Sequence, residues 1–243
     1  MKKIVVLSTL LTSWLLLSSC SFDPMASGVA VMAQDVTTKT IDRRSAGELI
    51  DDKNIYMKLN NIVKNDSMLE NSHISFLVYG KSAAMLGEAP TADAVDYLEK
   101  QIKKNIPLLN QLINEVVVEK NSSYVSRAKD GIISTQIETL FLNQEVFHPN
   151  HILFKTEGQI VYLMGAVTKR EAEHGTNVVS KAKNVKKVVK LFNYLLVRPA
   201  AEIERDNLKQ AKEEKIAGLK EKRRQLELEQ NEVIQQLDAL IYD

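Results

Sequence analysis

Shifted by 78 residues, the middle of this chain aligns with itself without a gap. Ile55 meets Ile133, Leu59 meets Ile137, Ile62 meets Leu140 and Val63 meets Phe141. His73, Ile74 and Phe76 meet His151, Ile152 and Phe154, and Gly80 and Gly87 meet Gly158 and Gly165. In each copy a helical period of apolar residues is followed by a period of two, so a helix precedes strands. A chain patterned this way carries two copies of one folding unit, each with its own core stripe.

The unit reads helix, strand, strand, helix, strand. In the first copy the acidic pair Asp51 and Asp52 suits the positive end of a helix whose buried face is Ile55, Leu59, Ile62 and Val63. The segment 73–79 places Ile74, Phe76 and Val78 on one strand face, and Gly80-Lys81 turns it into a second strand over 82–86 that ends at Gly87. Pro90-Thr91 opens a helix with Val95, Leu98, Ile102 and Ile106 inward, Pro107 stops it, and a third strand covers 109–119. In the second copy Thr168 and Glu171 form a capping box. The helix they open has a small-residue face of Ala172, Thr176, Val179 and Ala182, weakened by Gly175, and the last strand spans 185–197. Gly80 and Gly158 supply the positive φ of a hairpin turn; Gly87 and Gly165 let a strand end pass close to the following helix. The fold class expected is α+β: tandem αββαβ domains at 49–120 and 126–198, each a three-stranded mixed sheet with two helices, then a long C-terminal α-helix.

Residues 199–243 are rich in Glu, Lys, Arg and Gln, with proline only at Pro199. Leu219, Leu226, Val233 and Leu240 recur every seven residues, while Ile216, Arg223, Gln230 and Leu237 fill the companion positions. A coiled coil with a weakened middle, a solvated single helix and a helix packed on the domain pair all fit this pattern.

At the other end, Lys2 and Lys3 precede an apolar run from Ile4 to Leu17, which is too short for a good transmembrane helix and has the form of a secretory signal. Leu17-Ser18-Ser19-Cys20 resembles the lipobox of bacterial lipoproteins. That resemblance implies a signal peptide at 1–19 and a mature chain starting at Cys20 with an N-acyl diacylglycerol, palmitate included, as its lipid attachment. Ser21 in place of aspartate implies the periplasmic face of the outer membrane. Residues 20–48 lack a sustained period and read as a flexible tether. Cys20 is the only cysteine, so no disulfide or thiol chemistry is expected, although the periplasm permits both.

The stretch Gly158 to Val167, with the helix before it and the apolar strand after it, resembles a BON domain, and the first copy resembles a more divergent one. A lipobox followed by two such domains is similar to the dual-BON outer-membrane lipoproteins. The resemblance implies a non-catalytic protein that binds anionic phospholipid and supports envelope integrity or cell division. It also implies lipid contact on the first helix of the second domain, over Lys129 to Gln136, with Tyr124 and Val125 as interfacial anchors. Relatives can carry an aromatic residue where Gly131 stands here.

Charge agrees with that placement. Residues 49–120 hold 8 Lys and Arg against 10 Asp and Glu, whereas residues 126–198 hold 11 against 6. Arg127, Lys129, Lys181, Lys183, Lys186, Lys187 and Lys190 concentrate the excess. Ile132 adjoins the buried Ile133 position and must point outward. The expected lipid-binding set is therefore Tyr124, Arg127, Lys129, Ile132, Gln136, Lys186 and Lys187. With a formal charge of +1 overall, nucleic acid is not an expected partner. No phosphate loop, Cys-x-x-Cys, His-Glu-x-x-His or Gly-x-Ser-x-Gly occurs, so no catalytic residue is assigned. His148 and His151 flank Pro149, which would break a helix holding both rings on one face, so no metal and no cofactor is expected. Residues 200–243 are the expected contact for a second copy or another protein. Two rival readings are an envelope scaffold binding protein or cell wall, and an osmotic-stress periplasmic chaperone.

Overall fold

The structure is a computed structural model and describes residues 42–242. The expected signal peptide, Cys20 and most of the expected tether lie outside the described residues. The elements follow as α1 (Ala46–Lys64), β1 (His73–Tyr79), β2 (Ser82–Ala89), α2 (Ala92–Asn105) and β3 (Gln111–Val118) in unit one. Unit two repeats them as α3 (Tyr124–Leu142), β4 (Leu153–Glu157), β5 (Ile160–Val167), α4 (Lys169–Val179) and β6 (Lys187–Tyr194). A single helix, α5 (Ala200–Tyr242), ends the chain.

Each unit has its own three-stranded sheet, with the second strand central, antiparallel to the first and parallel to the third. Ser82 pairs with Gln111 and Ile160 with Lys187, so the third strands correspond at a shift of 76 rather than 78. The stretch from second to third strand is thus two residues shorter in unit two, because its helix is shorter. Both hairpins turn on adjacent positive-φ residues, Gly80 with Lys81 and Gly158 with Gln159, the form that matches strand twist. The sequence anticipated the glycine of each pair and not its neighbour.

Asp51 and Asp52 do not open α1. Ser45 caps it in a capping box with Glu48, and Asp52 sits in the second turn, fully buried. Its carboxylate accepts the N–H of Gly80 at 2.8 Å and of Lys81 at 2.7 Å. Asp130 does the same in unit two, accepting Gly158 N–H at 3.0 Å and Gln159 N–H at 2.7 Å. A carboxylate from the first helix therefore pins each hairpin, and 52 and 130 obey the same shift of 78.

The close approaches at Gly87 and Gly165 are also not to the following helix. A Cβ there would lie 2.0 Å from the carbonyl oxygen of His73 or 2.1 Å from that of His151, at the entrance to the neighbouring strand. Gly175 does not weaken α4 so much as fit it: a Cβ would stand 2.6 Å from Ile152 Cδ1, so a bare backbone lets the helix sit against the core.

The central strands are buried on both faces because the sheets pack against each other. Val161, Leu163 and Val167 belong to the core beneath α3 and α4, whereas Tyr162 and Met164, with Ile160 and Ala166, join the core of unit one. On the opposing sheet, Ser75 donates to Glu157 across the interface at 2.7 Å, so Leu77 and Tyr79 share that face. Register adds Ala84 and Leu86. His73 meets the same Glu157 carboxylate at 3.4 Å. The order of layers is helices, sheet, sheet, helices.

Residues 42–48, expected to be the end of a flexible tether, are instead fixed on the folded body. Arg43 forks onto Glu171 at 2.7 and 2.8 Å and donates to Ala166 O, while Arg44 bonds Asp42 and Asp52 and stacks over Tyr79 at 4.4 Å. This lead-in ties the two units together. At the C-terminal side β6 is shorter than expected, leaving Leu196 and Val197 exposed. Only the start of α5 is docked: Glu202 is buried against Arg170 and Arg198, which also hold Asp206, and Arg205 reaches Val146 O. From Asn207 through Ile241 every residue is exposed.

Candidate functional site

The basic residues of unit two are assembled by a chain of backbone contacts around α3. Asp130 holds the 158–159 turn; Gln159 O in turn accepts Lys186 N–H at 2.9 Å, and Gln159 Nε2 donates to Asn184 O at 3.0 Å. Gln136 Oε1 accepts Lys183 N–H at 3.0 Å. The lysine-rich segment between α4 and β6 is thereby fastened beside the α3 helix. Burial lifts the Asp130 carboxyl above the usual carboxylate range, against the pull of its two N–H donors.

The outward face of α3 presents Tyr124, Val125, Ala128, Lys129, Gly131, Ile132, Thr135, Thr139 and Leu142, with no acid among them. Tyr124 is 87% and Ile132 59% exposed, while Ile133 is fully buried, so the adjacent isoleucines divide as their spacing requires. Lys129, Lys181, Lys183, Lys186, Lys187 and Lys190 are exposed, and no ion pair among the described residues uses any of them.

Two of the expected residues have other occupations. Gln136 is half-buried and spends its amide on Lys183 N–H and on Ile132 O, which makes it a brace for the lysine segment. Arg127 is half-buried, bonded to Asn121 Oδ1 at 2.6 Å with its guanidinium 5.7 Å from the Tyr124 ring, and so steadies the start of the helix. A cleft of about 270 Å³ opens on the flank of α3, lined in part by Arg127, Asp130, Gly131, Thr135, Glu157 and His73 of unit one. Gly131 has no heavy atom within 4 Å of where a Cβ would stand, so the missing side chain widens this cleft.

His148 and His151 lie on the 3₁₀ turn Pro149–His151 and its cap, with ring centroids 5.8 Å apart. Burial, then the proximity of His151 and Arg205, lowers the His148 pKa to about 4. His151 instead approaches Glu171 at 3.5 Å. Burial raises the Glu171 carboxyl, but His151, Arg43 and the Thr168 N–H outweigh it and hold the pKa at about 2. Glu171 thus serves as capping-box residue and as anchor for Arg43, a second role that capping-box spacing does not reveal.

Residues 129–195 match the BON domain family. Over 191 residues, 78% of this chain and 95% of the relative, the chain is 28% identical to the outer membrane lipoprotein DolP of Haemophilus influenzae. It is 24% identical over 159 residues, 65% of this chain and 81% of the relative, to a 21 kDa hemolysin of Actinobacillus pleuropneumoniae. The solved structure of CdsD, a structural protein of the type III secretion system of Chlamydia trachomatis, has a TM-score of 0.25 at 15% identity, covering 59% of this chain and 63% of that one. That likeness is too low to bear on fold or function. The family match falls on unit two, so residues 129–195 form a BON domain, and the chain as a whole is similar to an outer membrane lipoprotein over nearly the full length of that relative.

Proposed function

We propose that the chain is a non-catalytic lipoprotein acylated at Cys20, held on the periplasmic face of the outer membrane, in which unit two lies against anionic phospholipid and unit one, a divergent second BON domain, is its packed support. The observation that carries this reading is that the segment bearing Lys181, Lys183 and Lys186, all exposed and outside any ion pair, is fastened beside a helix face that presents Tyr124, Val125 and Ile132 and no exposed acid. A solvated basic patch needs no such apolar neighbour. At a bilayer, each lysine near the surface contributes about 1 kcal/mol, and the aromatic and aliphatic groups enter the headgroup layer. The tether then keeps the surface at high local concentration beside its ligand, so weak headgroup affinity suffices.

Flotation of the fragment 21–243 with vesicles tests this. Binding is expected with phosphatidylglycerol-containing vesicles, absent with phosphatidylcholine alone, and reversed by salt. Replacing Lys186 and Lys187 by Gln should remove about 2 kcal/mol, roughly thirtyfold in affinity. Gly131→Trp, which places an aromatic ring at the cleft on the lipid-facing helix, should strengthen binding. Flotation indifferent to lipid charge would sink the proposal.

A further inference from the structure

The exposed part of α5 carries a charge pattern that an isolated helix does not favour. Residues 209–224 hold seven Lys and Arg against three Glu, and residues 225–243 hold five acids and no base. Within a single helix this segregation sets like charges one turn apart, Lys220 by Arg223 and Arg224, and Glu229 by Glu232, which is unfavourable. Along the same stretch Ile216, Leu219, Leu226, Val233, Leu237 and Leu240 form a seam that nothing among the described residues covers, from 42% to 79% exposed. A solvated helix gains little from packing, and most helical stability in proteins comes from a covered apolar face.

We infer that α5 pairs antiparallel with α5 of a second copy, about a twofold axis between Arg223 and Leu226. This inference is independent of the lipid reading. The seam has Ile216, Arg223, Gln230 and Leu237 at one set of core positions and Leu219, Leu226, Val233 and Leu240 at the other. In a parallel pair Arg223 would face its own copy inside the seam, and Lys215 would flank Lys220 of the partner helix, both repulsive. In the antiparallel register Arg223 layers against Leu226, Gln230 against Leu219 and Ile216 against Val233. Lys220 then flanks Glu227, and Lys222 flanks Glu229, each pair occurring twice by symmetry. The basic half of each helix covers the acidic half of the other. Lys222 and Glu229 make no ion pair within their own helix, and the one that Glu227 makes, with Arg223, is an exposed i,i+4 contact. The bodies would sit at opposite ends of a paired rod.

Cysteine crosslinking in cells making the full chain tests the pairing and its direction, with the parental chain, whose only cysteine is Cys20, as background. Co-expressed Lys222→Cys and Glu229→Cys chains should give, under mild oxidation, a disulfide dimer several-fold above either alone. Leu240→Cys alone should stay at background, since its twin would lie about 45 Å away. The double variant Glu227→Lys/Glu229→Lys should lose the dimer, and adding Lys220→Glu/Lys222→Glu should restore it, which separates pairing from loss of helix. A Leu240→Cys band stronger than the mixed one, adducts of another mass, or no adduct would each overturn the inference.

Discussion

Two aspartates do for this fold what turn sequences alone do in most hairpins. Asp52 and Asp130 each satisfy a pair of turn N–H groups that face the first helix and have no partner across the hairpin. Asp130→Ala should cost about 2–3 kcal/mol, read as a lower urea midpoint, because both N–H groups lose their partner. The glycines divide by surroundings. Gly165→Ala drives a methyl into the His151 carbonyl and should cost about 3 kcal/mol or more, whereas Gly131→Ala meets no atom and should stabilise by about 0.5–1 kcal/mol. Titration belongs to this scale too. The native state holds Glu171 at about 2, below the ordinary 4.5, so its contribution is full above that value and drains as pH falls toward 2. His148 has a folded pKa of about 4 against 6.5, so protonation of the unfolded chain removes stability as pH falls through that window. Both act in one direction. The thermal midpoint should fall steadily from pH 7 to pH 3, and Glu171→Gln should lower it at neutral pH while flattening the acidic limb.

At the scale of elements, α5 is two objects in one helix. Its first two turns belong to the body through Glu202, Arg205 and Asp206, and the remainder leaves it. Deleting residues 208–243 removes only the exposed Lys209 to Glu145 pair, worth about 0–1 kcal/mol, and should leave the urea midpoint of the body nearly unchanged. Deleting residues 200–243 strips the docked turn and should cost about 1–3 kcal/mol in the same assay. Strand β1 was legible to the residue, since alternation is visible when one face is more apolar. In β5 the run from Ile160 to Val167 is apolar on both faces, a pattern that says buried without saying by what.

On the scale of the molecule, the units share a sheet-to-sheet interface. Tyr162, Met164 and Leu153 are buried in the core of unit one, so either unit alone would expose an apolar face. The fragment 42–243 should unfold in one cooperative transition, with calorimetric and van't Hoff enthalpies equal, and 42–120 expressed alone should aggregate or stay unfolded. Arg43 and Arg44 reinforce this unity by reaching from the lead-in to Glu171 in unit two and Asp52 in unit one. The basic surface of unit two is consequently carried by a packed pair rather than by a domain free to turn on its neighbour.

Sequence alone determined the repeat, the αββαβ order, the hairpin glycines, the capping box at Thr168 and the outward direction of Ile132, because each follows from local period or backbone geometry. It also located the basic surplus in the second copy. Only the tertiary structure decided that the sheets face each other, that the carbonyls of His73 and His151 are what Gly87 and Gly165 accommodate, and that Gln136 braces the lysine segment rather than meeting solvent. Those facts depend on contacts between residues far apart in the chain. A period records that a face is buried, and only packing names the partner that buries it.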